Sequence, residues 1–110
     1  MTNDSPFLAI KWLETQLSGT LSAIDIYALQ AQERKNIALL KRELTDARLD
    51  IRDYELSETR AEQLQKAKVA KKRLEHVRRL ILTASEYNVF SAIDVAQLTA
   101  QLDQISENVR

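Results

Sequence analysis

Glu43, Asp46, Asp50 and Asp53 follow one another at steps of three, four and three, which lines four carboxylates along one face of a helix. Carboxylates are the ligands of hard cations, but a straight helix cannot wrap them around one ion as a calcium loop does. No Glu-x-x-His motif accompanies them, so a solvated acidic face is expected. His76 is the only histidine. It stands beside Glu75 among cations, and acid–base work needs a positioned partner that its surroundings do not offer. Without Cys there is neither a thiolate nor a disulfide framework. Without a Gly-rich phosphate loop, nucleotide chemistry has no cradle. The residues therefore predict no catalytic site, no metal and no cofactor, and the reading is of a protein that is not an enzyme.

The cations carry the more informative pattern. Arg34, Lys41, Arg48, Lys71 and Arg78 fall on one flank of two helical seams, with Glu55 the only acid there and far from the rest. Lys68, Lys72, His76 and Arg79 add a second strip. Arg34, Lys41, Arg48, Lys71, Arg78, Lys68, Lys72 and Arg79 are thus the candidate partner-binding residues, suited to an acidic protein surface. Exposed like charges cost only about a few tenths of a kcal/mol per pair, so a merely tolerated solvated flank is the competing account. Phosphate binding also needs such clusters. No aromatic interleaves these cations to stack bases, however, and no helix-turn-helix spacing accompanies them, so the nucleic-acid reading is the alternative.

These residues sit on a stretch from Leu21 to Tyr87 that holds neither Gly nor Pro. Ile37, Leu40, Leu44, Ala47, Ile51 and Tyr54 recur at alternating steps of three and four, an apolar seam. Ala67, Ala70, Leu74, Val77, Ile81 and Ala84 form a second seam whose heptad phase does not continue the first. One unbroken helix would have to jump register between them. Thr59-Arg-Ala-Glu62 has the spacing of a capping box, a fresh N-terminus. Two long antiparallel helices reversing at Leu56–Thr59 are therefore expected. In that hairpin Glu43 faces Arg73, and Asp50 faces Lys66.

Ser5-Pro6 opens a shorter helix with Ile10, Leu13 and Leu17 as its stripe and Phe7 and Trp12 beside it. Gly19 is the expected left-handed stop, and Asn88 the corresponding stop of the third helix. Ser22-Ala-Ile-Asp25 and Ser91-Ala-Ile-Asp94 nearly repeat. Both have capping-box spacing and are read as two similar helix starts, an internal duplication being the other account. A fourth helix then carries Val95, Leu98, Leu102, Ile105 and Val109. Helices are expected near 6–17, 22–55, 59–87 and 91–107. Glu33 interrupts the first seam, and if buried it needs a cation such as Arg78 or Lys11.

The expected fold is all-α, one domain over 1–110: an antiparallel helical hairpin with shorter helices 1 and 4 packed at its open end as a four-helix base. Phe7, Trp12, Tyr27, Tyr87 and Phe90 would thicken that base. A length of 110 residues with 45% hydrophobic and 29% charged composition supports one core and excludes a disordered chain. Sixteen basic residues balance sixteen acidic ones, so any electrostatic function comes from arrangement, not from net field. No apolar run approaches the roughly 20 residues that span a bilayer, and the N-terminus lacks a signal-peptide pattern. A cytoplasmic protein that does not enter the membrane is expected. Leu49 and Val69 lie off the seams and beyond the reach of short flanking helices, which points to self-association as a homodimer. The functional expectation is a helical protein–protein interaction module (an adaptor, small regulator or chaperone-like binder).

Overall fold

The computed structural model describes residues 5–87 and 89–110. Among them are four α-helices and no strand: α1 (Pro6–Ser22), α2 (Ala31–Glu55), α3 (Arg60–Ser85) and α4 (Ala92–Asn108). The two long helices form the expected hairpin. Thr59 caps α3 by accepting from the Glu62 N–H at 3.1 Å, as its spacing predicts. Every residue of the two predicted seams is buried. Their interlocking makes α2 against α3 the most extensive helix pair in the molecule.

The flanking helices pack on this hairpin and on each other, closing a ring of four antiparallel neighbours. They reach further than expected. α1 begins at the hairpin turn, where Ser5 Oγ and the Phe7 N–H donate to the Glu55 carboxylate at 2.9 and 2.8 Å. It then runs back along α2, and its Glu14 meets Arg48 at 2.6 Å. α4 runs along α3 towards the same turn. There the Tyr54 hydroxyl donates to the Arg110 carbonyl at 3.1 Å and accepts from the Arg110 N–H at 2.9 Å. Helices 1 and 4 thus cover the distal half as well as the open end, and no bare arm projects. The reason lies in the seam. Ala47, Ala67 and Ala70 leave the distal α2–α3 layer thin, and the buried Ile10, Leu13, Ile105 and Val109 supply the missing apolar volume.

Two boundaries differ from the sequence expectation, each for a local reason. α1 does not stop at Gly19 but continues to Ser22. A helical Gly costs about 1 kcal/mol relative to Ala, whereas burying Leu21 one turn beyond Leu17 returns roughly 1.5–3 kcal/mol. Ser22 consequently ends a helix: its hydroxyl donates back to the Gly19 carbonyl at 2.8 Å. Asp25 caps only a single 3-10 turn, Ile26–Ala28. α2 starts at Ala31, and the Gln30 N–H donates to Glu33 Oε1 at 2.9 Å. That bond accounts for the acid in the seam: Glu33 is a first-turn cap and needs no cation. The Ser91 start behaves as expected, accepting from the Asp94 N–H at 3.1 Å. The near-repeated pentapeptides therefore take different structures. α3 ends at Ser85, and the expected Asn88 stop lies outside the described residues.

The aromatics do not gather at the base. Phe7 is at the hairpin turn, Trp12 is 63% exposed and Tyr27 is 92% exposed. Trp12 precedes Leu13 by one position, about 100° around the helix, so burying the Ile10–Leu13–Leu17 stripe turns it outward. Only Tyr87, accepting from Asn36 Nδ2 at 3.0 Å, and the buried Phe90 sit where expected.

Leu40→Ala and Leu74→Ala should each cost on the order of 2–5 kcal/mol, since both seam positions are fully enclosed. Trp12→Ala should change stability by no more than about 0.5 kcal/mol, as surface substitutions do. Denaturant melts of the three variants check this contrast directly.

Candidate interaction surface

The hairpin has two unlike flanks, because one flank of α2 and α3 receives α1 and α4 while the other stays open. On the open flank Arg73 organises the carboxylate stripe. Its Nη1 donates to Glu43 Oε2 at 2.6 Å and its Nε to Asp50 Oδ2 at 3.0 Å, with Asp46 at 3.8 Å. The Glu43 contact is the expected one. Asp50 takes Arg73 in place of Lys66, because a forked guanidinium standing between two acids about two turns apart can serve both. These hydrogen bonds to Glu43 and then Asp50 push the Arg73 pKa upward from its ordinary value, more than offsetting desolvation. The guanidinium thus takes the position a bound cation would need. Among the described residues no group of three metal-ligating side chains comes together. His76 Nδ1 stands 3.7 Å from Glu43 Oε1, too far for a hydrogen bond.

The other flank is less free than its sequence suggests. Arg48 pairs with Glu14 of α1, and Arg78 pairs with Asp103 of α4 at 3.6 Å. The acids come from helices that the hairpin register alone does not place, so the sequence expectation of a flank without intramolecular partners fails at these two positions. Arg34 donates to the Leu29 carbonyl at 2.6 Å, tying the start of α2 to the preceding turn. Arg79 pairs with Glu75 one turn earlier at 2.7 Å. Lys41, Lys68, Lys71 and Lys72, all exposed, make no ion pair among the described residues. The eight candidate residues therefore divide by chemistry: the arginines are engaged within the fold, and the lysines point to solvent.

Three of those lysines belong to one stretch of α3. A shallow open groove of about 480 Å³ runs along it, lined by Gln65, Lys68, Val69, Lys71, Lys72 and Glu75. Val69 is 42% exposed, an apolar residue framed by cations. Leu49 is half-buried on α2. Sequence reasoning missed two further exposed apolar residues, Leu8 and Trp12, one turn apart on the outer face of α1. Their signal was the helical offset from the Ile10–Leu13–Leu17 stripe, which places them opposite the core.

No helix among the described residues is long and apolar enough to cross a membrane. Comparison with known proteins finds no matching family model, no matching curated protein and no matching solved structure.

Arg73→Met should destabilise the fold by roughly 1.5–3 kcal/mol, the range for charge-assisted hydrogen bonds whose acceptors are left behind. A double-mutant cycle with Glu43→Gln should show clear coupling, whereas a Lys72→Gln and Glu43→Gln cycle should be additive within about 0.5 kcal/mol. Urea melts of the two cycles give the comparison.

Proposed function

We propose that this chain is a non-catalytic helical binding module that docks an acidic protein surface on the lysines of α3. One observation carries the reading: Lys68, Lys71 and Lys72 line the groove around the exposed Val69 and make no ion pair among the described residues, while Glu75 beside them is taken by Arg79, and Arg73 and Arg78 are already paired. Free ammonium groups can meet a partner's carboxylates without breaking a contact inside the fold. The apolar centre adds the burial that a purely ionic contact lacks. The groove lies along one helix and is open, which suits an extended or helical segment better than a small molecule.

The triple variant Lys68→Gln, Lys71→Gln, Lys72→Gln should keep its helical circular dichroism, because all three side chains are exposed. It should lose roughly threefold to 150-fold in affinity for the protein partner recovered from the native host, given roughly 0.2–1 kcal/mol for each of three exposed pairs. A partner that binds the variant as tightly as wild type removes the reading. Generic duplex DNA, bound with a steep salt slope that the same variant flattens, would replace the acidic protein by a phosphate backbone.

A further inference from the structure

We propose that the acidic surface taken by α3 is the carboxylate stripe on α2 of a second copy, in a two-fold dimer whose axis runs lengthwise along the hairpin. The inference rests on reading the α3 strip as a docking surface and names its occupant. Its ground is the open flank. There α2 presents Glu43, Asp46, Asp50 and Asp53, and α3 presents Lys66, Val69, Lys72, Arg73 and His76. Arg73 satisfies Glu43 and Asp50 from within. Left facing outward are Asp46, whose nearest cation is 3.8 Å away, and Asp53, which meets only its sequence neighbour Arg52. Across the midline Lys66 and Lys72 make no ion pair among the described residues. One face thus holds acids with only long or local pairings on one helix and lysines without an ion pair on the other.

Symmetry decides what such a face can bind. Two copies meeting face to face are related by a two-fold axis in the plane of contact. An axis across the helices sets α2 on α2 and α3 on α3, acid on acid and lysine on lysine. An axis along the helices sets α2 of each copy on α3 of the other, and every contact becomes acid on base. The lengthwise axis also keeps residues at their own height. Arg73 reaches both Glu43 and Asp50, so the partner's Asp46 arrives at the level of Arg73 and Lys72, and its Asp53 lies nearer Lys66. Val69 lies between those levels. Leu49, between Asp46 and Asp53 in sequence, flanks the contact on the other helix.

The dimensions fit. A 25-residue helix is about 37 Å long and two helices side by side are about 20 Å wide, a footprint on the order of 700 Å² per copy. Specific interfaces bury about 800 Å² per partner. With so little apolar area at its centre, the dimer is weak and held by charge, and it dissociates when salt screens the pairs.

Two reversal variants test the geometry. Asp46→Lys with Asp53→Lys turns the outward charge of α2 basic; Lys66→Glu with Lys72→Glu turns that of α3 acidic. Light scattering coupled to size exclusion, from micromolar to millimolar protein, should show a wild-type dimer at low salt that falls to monomer at high salt. Each variant alone should be monomeric, and their equimolar mixture should recover the dimer mass. A wild type that stays monomeric at low salt and millimolar concentration overturns the proposal, as does either variant dimerising like wild type. Should a reversal variant lose helicity, Lys66→Gln with Lys72→Gln must still raise the dissociation midpoint about tenfold, or the proposal fails. A monomeric wild type whose lysine variant still loses a different protein partner removes the dimer and leaves the binding-module reading intact.

Discussion

Everything in this molecule depends on the seam between α2 and α3. Two apolar series of matched period interlock over the full length of the hairpin, and each is buried from end to end. The series is graded. Leucine and isoleucine dominate towards the open end, while alanine enters at positions 47, 67 and 70. Small residues let the helix axes approach but remove little apolar area from water. That deficit explains why α1 and α4 extend to the turn. A hairpin of this length with a thin distal half is not self-sufficient, and the flanking helices complete its core with Ile10, Leu13, Ile105 and Val109.

How much of this was legible in the sequence follows from where the information resides. Periodicity over 25 and 26 residues specified the two long helices, and the break in heptad phase with the Thr59 cap specified the reversal. Capping signals alone were less decisive. Ser22 and Ser91 begin nearly the same pentapeptide, yet only Ser91 opens a helix; the burial of Leu21 commits Ser22 to the end of α1. Tertiary packing overrode a local signal there, as it did at Gly19. The aromatics misled for a related reason. Residue type suggested a core role for Trp12, whereas its position on the helix faces away from the apolar stripe. On the charged surface, the Glu43–Arg73 pair followed from hairpin register. The pairs to Glu14 and Asp103 did not, because they depend on how far helices 1 and 4 slide along the hairpin, which no one-dimensional pattern encodes.

The charges are sorted by side-chain chemistry as well as by place. Arginine, whose planar fork can hold two acceptors at once, is used to fasten helix to helix and helix to loop: Arg73 across the hairpin, Arg48 and Arg78 to the flanking helices, Arg34 to the turn before α2. Lysine, more strongly hydrated and more flexible, is left at the surface. The same net-neutral composition thereby yields a set of arginine pairs that join elements and a group of exposed lysines on α3 that make no ion pair among the described residues. Substituting those lysines would leave the pairs that fasten the fold in place, since the two sets share no residue.

The contacts at the hairpin turn bear on the order in which the structure assembles. Ser5 reaches Glu55 across 50 positions, and Tyr54 reaches Arg110 across 56, so both clasps close long loops. The α2–α3 pairing begins across a short reversal and adds contacts turn by turn, with little loop entropy to overcome. Long-range clasps become favourable only once the helices they join are already aligned. Both clasps therefore close after the helices they join have aligned, whichever pair of helices forms first. The turn between α2 and α3 is thus also where residues 50 and 56 positions away in the chain are secured.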